Sequence, residues 1–180
     1  MTLTLLSYLL GIVIVITSVL ALMKPAAAKA FLKAYPRSLP CGYAMLAVST
    51  VWFLYYFSRE DIADFAAIKT QMFVFFIILA AGVGIYVKDF LAVRAHAVFM
   101  FLVAKLIYDT ARYADSGWAI LFPALATVLV FFGMWFTVSP WRLRDMLQGL
   151  INRDKLWKSF WFGRMLLGIL LVFLGVAGIR

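Results

Sequence analysis

The chain has 180 residues, 66 % of them hydrophobic and only 14 % charged, with a formal net charge of +9. Soluble domains carry about a quarter charged residues, so this composition excludes an ordinary globular protein and makes lipid the solvent for the apolar excess. A single histidine and a single cysteine exclude an internal disulfide, a CxxC pair and bis-histidine ligation of haem or zinc.

The mean hydropathy of +1.01 fits an all-α polytopic integral membrane protein. Six spans of about 20 residues leave room for short connections and two amphipathic surface helices, so residues 1–180 read as a single transmembrane domain. The basic residues fall between apolar runs, where they match anionic lipid head groups and topology determination better than nucleic acid.

The first span is predicted over 3–23. No positive charge precedes it and its apolar run is long for a secretory leader, so it reads as a retained anchor. Lys24, Lys29, Lys33 and Arg37 follow it. Pro25 to Tyr35 reads as a short surface helix, with Pro25 in its first turn and Phe31, Leu32 and Tyr35 dipping into the interface. The second span, 41–57, ends in Trp52, Phe53, Tyr55, Tyr56 and Phe57, rings that settle at head-group level.

Ser58-Arg59-Glu60-Asp61 reads as an N-cap signal for a short outer helix with Ile62, Phe65 and Ile68 on its apolar face. The third span covers 70–87. A tight connection at Lys88-Asp89 leads to the fourth, 90–108. The fifth, 118–138, has Pro123 either as a kink or in its first turns. Ser139-Pro140 then starts a basic amphipathic helix, expected over 140–161. The sixth span is predicted over 162–179.

Lysine and arginine concentrate after the first, third and fifth spans, while the other two connections are acidic or mixed. The positive-inside rule therefore predicts both termini outside, and the bacterial inner (cytoplasmic) membrane is the expected location. No inverted sequence repeat is visible between the two halves.

The fourth span carries the unusual chemistry. At 100° per residue, Arg94, Lys105, Asp109 and Arg112 fall within about 60° of one another, a polar stripe on an apolar helix. An unpaired charge at mid-bilayer costs about 2.5–3.5 kcal/mol, so Lys105 and Asp109, spaced i,i+4, are expected to offset each other. The stripe marks either an ion or substrate pathway or a snorkelling lysine that fixes helix depth, and the second reading is preferred.

His96 lies on the opposite face, as a head-group hydrogen-bonding residue or, less favoured, a cofactor ligand. Cys41 reads as an inert small residue, with reversible acylation as the alternative. Thr4, Ser7, Gly11 and Ser18 line one face of the first span, and Gly168 and Gly175 one face of the last, permitting close helix approach. The stretches Trp135–Asp145 and Asp89–Arg94 look motif-like without matching a known signature.

Phosphate loops, HExxH, GxSxG and paired embedded carboxylates are absent from the sequence. No cofactor and no metal are expected, and catalysis is disfavoured. The expected function is a non-catalytic structural or accessory subunit of a membrane assembly, as a homo-oligomer or with other membrane subunits. The alternatives are a small-solute or ion transporter or channel using the stripe, and a membrane-bound enzyme or cofactor-binding protein.

Overall fold

The computed structural model describes residues 2–60, 63–112, 114 and 117–177, and these are helical almost throughout, with no strand among them. The helices are α1 (Leu3–Met23), α2 (Pro25–Ala34), α3 (Leu39–Arg59), α4 (Lys69–Tyr86), α5 (Leu91–Ala111), α6 (Leu121–Val138), α7 (Trp141–Ile151) and α8 (Asp154–Val176). Short 3-10 turns at Tyr35–Arg37, Ala63–Ile68 and Gly117–Ile120 precede α3, α4 and α6. Six helices are long and apolar enough to cross a membrane: α1, α3, α5, α8, and α4 and α6 with their 3-10 leads.

Local chemistry sets several ends. Thr2 caps α1 by accepting the Leu5 amide at 3.3 Å, and Ser38 caps α3 through the Cys41 amide at 3.4 Å. Pro25, Pro36 and Pro40 sit at first or second helical positions, where the missing amide proton costs nothing. Pro123 lies in the first turn of α6, so it starts that helix rather than bending its middle.

Most helix ends differ by one to three residues from the sequence reading, and two segments are joined differently. The surface helix expected over 140–161 is cut at Asn152-Arg153, where Arg153 adopts extended backbone (φ −124°, ψ 101°). Asp154, well placed at a positive helix end, then opens a helix continuous to Val176. Trp157 and Trp161 are therefore buried against Ala21 of α1 instead of forming an interfacial face. Ser58 does not cap a new helix: α3 runs on to Arg59, and the Ser58 hydroxyl donates to the Tyr55 carbonyl at 2.7 Å. Asp61 and Ile62, the Phe65 side chain and the end of the last span at Ile179 lie outside the described residues.

The small-residue faces of the first and last spans meet each other. A Cβ on Gly11 would stand 2.8 Å from the Gly168 carbonyl oxygen, and one on Gly168 would stand 3.0 Å from the Gly11 carbonyl oxygen. The Ser7 hydroxyl donates to the Leu171 carbonyl, and Gly175 lies under the Tyr8 ring. In lipid, where no hydrophobic force separates helix from solvent, such close backbone approach drives association. It makes α1 and α8 an antiparallel pair, with the start of α1 beside the end of α8.

Helix α5 is the centre. In its most apolar stretch 44 % is buried, against 6 % for the α4 span. One core joins it to α1, α6 and α8 through Leu6, Ala104, Ile107, Phe122 and Leu171. On its other flank Gly42 brings α3 onto the Ala92 backbone and the Leu91 side chain, and Ser49 donates to the Ala95 carbonyl at 3.4 Å. Helix α4 packs outside α3, held by Phe53 and Phe57 against Phe76 and by the Tyr43 hydroxyl, which donates to the Gly84 carbonyl at 3.2 Å. Beyond the end of α1, α2 packs on α1 and α7.

Candidate functional site on the charged face of the central helix

The α3–α5 packing determines what the stripe meets. Lys105 Nζ lies 3.0 Å from Asp109 Oδ2, one turn further on, and 2.9 Å from Glu60 Oε1 at the end of α3. It also stands over the Tyr56 ring, 5.2 Å from the centroid, a favourable position for a cation above a π face. Lys69, the first residue of α4, donates to the Ser58 and Glu60 carbonyls at 3.0 and 2.9 Å. Two lysines thus fasten the end of α3 to α5 and to α4. Arg112 occupies the C-cap of α5.

Glu60 and Tyr56 are the members of this cluster that the sequence reading missed. Glu60 was read as the first turn of a following helix, so its role as a partner across helices was hidden. The available signal was level: the end of α3 and the end of α5 fall at the same end of the bundle, which brings Glu60 beside Lys105 and Asp109.

Arg94 lies at the other end of the stripe, and its surroundings are different. It lines a cleft of about 380 Å³ between α3, α4 and α5, with Thr137 of α6 at its edge. Among the described residues it forms no ion pair, and its Nε is buried without a hydrogen-bond partner. Thr50 of α3 adds a hydroxyl to the wall. The hydroxyls of Ser49 and Thr137 are already committed, to Ala95 and Gly133 carbonyls respectively. The rest of the lining is apolar: Leu46, Phe53, Phe76, Leu79, Ala80, Val83, Val87, Ala95 and Val98. The stripe is therefore two sites, an ion-pair cluster near one end of α5 and a solitary guanidinium near the other.

His96 points away from both. Its ring meets Tyr35 edge-on with centroids 5.9 Å apart and stacks on Phe99 at 6.5 Å; its Nδ1 is buried without a hydrogen-bond partner. Burial, with a smaller contribution from Cys41, pushes the Tyr35 phenol up to about 12, so it stays protonated and donates to the Ala92 carbonyl at 3.5 Å. Cys41 is a free, partly buried thiol in the first turn of α3. Among the described residues, no three histidine, cysteine, aspartate or glutamate side chains group as metal ligands.

The two motif-like stretches pack together. Phe90 has left-handed backbone (φ 54°, ψ 31°) and lies under both Arg37 and Arg144, each 5.9 Å from its centroid. It packs beside Phe132 and Leu143 against the Val93, Ala97 and Phe136 cluster. No protein family, curated protein or solved structure matches the chain.

Proposed function

We propose that the protein is a non-catalytic accessory subunit of a membrane assembly, joined through α4. The supporting observation is the thin attachment of that helix: 6 % of its span is buried, against 28 % in each of α1, α6 and α8. Its packing is to α3 and its own 3-10 lead-in, leaving Phe75, Ile78 and Ile85 well exposed. Membrane helices associate by packing, and a helix this lightly held within its own chain gains most from a neighbour. Lys105, the deepest charge expected on the stripe, is taken up by two carboxylates, which fits a structural role better than a relay or a catalytic amine.

The location consistent with this reading is the bacterial inner membrane with both termini outside. It is supported by Lys24, Lys29, Lys33, Arg37, Lys88, Arg142 and Arg144, which belong to one end of the bundle. The transport reading is supported less well, since apart from Arg94, Ser49, Thr50 and Thr137 the cleft is lined by apolar side chains.

The test is the mass of the particle released by a gentle detergent. The chain weighs 20.3 kDa; a stoichiometric complex, with itself or a second subunit, that Ile78→Trp on α4 dissociates is the expected result. A monomer of the chain's own mass under those conditions overturns the proposal.

A further inference from the structure

Independently of any partner subunit, we propose that the Arg94 cleft binds one anionic phospholipid, its phosphate on the guanidinium and one acyl chain between α3 and α4. Charge complementarity carries the argument. An arginine in a membrane helix normally pairs with a carboxylate or with backbone carbonyls, and the same chain does this for Lys105 with Glu60 and Asp109. Arg94 has no such partner among the described residues, and its Nε is buried without a hydrogen bond. The missing acceptor is anionic, and phosphate oxygens suit the planar fork of a guanidinium.

The shape of the cleft selects the remainder of the ligand. Arg94 lies within the first turn of α5 and Val87 at the C-cap of α4, so the cation stands at the mouth nearest the membrane surface. From Val87 the lining runs back along α4 to Phe76, a length of about 16 Å at 1.5 Å per residue. Over that length α3 supplies Leu46, Phe53 and the Thr50 hydroxyl. A cation at one end of a long and mainly apolar groove describes the join between a head group and a hydrocarbon chain. A volume of about 380 Å³ accommodates one chain, leaving the second in the surrounding bilayer. The thin contact between α3 and α4 gives that chain its way in from the side.

The test is native mass spectrometry of the delipidated full-length protein titrated with phosphatidylglycerol, phosphatidylethanolamine or palmitate in the same detergent. One phosphatidylglycerol is expected to bind at least about tenfold more tightly than phosphatidylethanolamine, whose ammonium neutralises its own phosphate and repels the guanidinium. Arg94→Gln should abolish that preference, and Ala80→Trp, which fills the groove and keeps the charge, should weaken binding. Lys105→Gln, at the far end of the same helix, should leave it unchanged. Equal binding of the two phospholipids, unaltered selectivity in Arg94→Gln, or stronger capture of palmitate than of phosphatidylglycerol would each overturn the assignment.

Discussion

Lys105 Nζ stands 2.9 Å from the Glu60 carboxylate, so the C-cap of α3 and the penultimate turn of α5 share one charge. Asp109 completes the group at 3.0 Å. All three side chains are about half exposed, which limits their worth to the range of surface pairs, about 0.2–1 kcal/mol for each contact. A double-mutant cycle between Lys105→Gln and Glu60→Gln, read by thermal unfolding in detergent, should give a coupling within that range. Strict additivity would mean that the contact contributes nothing to stability.

The α1–α8 seam makes a sharper prediction. Gly11→Val would drive a side chain into the Gly168 carbonyl and Val172, and overpacking of this kind costs about 1–3 kcal/mol. Gly82→Val meets nothing within 4 Å and should change stability by less than about 0.5 kcal/mol. The two variants differ only in what faces the new methyls, so equal melting temperatures would show that the seam is not held by close approach.

At the same seam, Ser7→Ala removes a fully buried hydroxyl that donates to the Leu171 carbonyl. Hydrogen bonds between membrane helices average about 0.6 kcal/mol, and a loss near that value is expected. A loss comparable to Gly11→Val would instead indicate that the hydroxyl fixes the register of the two helices.

Tyr35 gives a pH dependence. Its phenol is raised from 10.0 to about 12 by burial, so the folded protein holds this proton more tightly than the unfolded chain. The contribution to stability is complete below about pH 10 and disappears as pH rises through about 12. Ultraviolet titration of phenolate should show Tyr35 ionising late in the folded protein, and Tyr35→Phe should lower the late amplitude by one tyrosine. An unchanged late amplitude in Tyr35→Phe would show that Tyr35 does not contribute to it.

Much of this structure is legible from residue order because six helices are long and apolar enough to cross a membrane. Each span must satisfy its own backbone, so apolar length locates a helix almost by itself. The faces carrying Ser7 and Gly11, and Gly168 and Gly175, are visible as small residues at helical spacing, and it takes the structure only to show that they face each other. What the sequence hides is pairing across distant segments. Glu60 looks like the start of a helix until α3 is seen to extend past Ser58. Trp157 and Trp161 look like an interfacial face until the backbone of Arg153 turns and joins them to the last span. Arg94 and Lys105 lie on one stripe and have opposite surroundings, because the end of α3 brings Glu60 and Tyr56 to Lys105, whereas beside Arg94 the helices α3, α4 and α5 leave a cleft.

Phe90 is where local preference and tertiary packing conflict most openly. A positive φ is uncommon for a bulky residue and costs about 1–3 kcal/mol, yet Phe90 adopts it at the turn into α5. Two guanidiniums, from Arg37 before α3 and from Arg144 in α7, hold its ring, and each such contact returns about 0.5–1 kcal/mol at an exposed site. The contacts and the strain separate by substitution. Phe90→Ala loses the ring and keeps the strain, whereas Phe90→Gly loses the ring and releases it, so Gly should be the more stable variant by about 0.5–1 kcal/mol. Both should lie below the wild type in thermal unfolding if the ring contacts outweigh the backbone cost. An alanine variant as stable as the glycine variant would show that the left-handed turn is not under strain, and the pairing of the two stretches would then rest on packing alone.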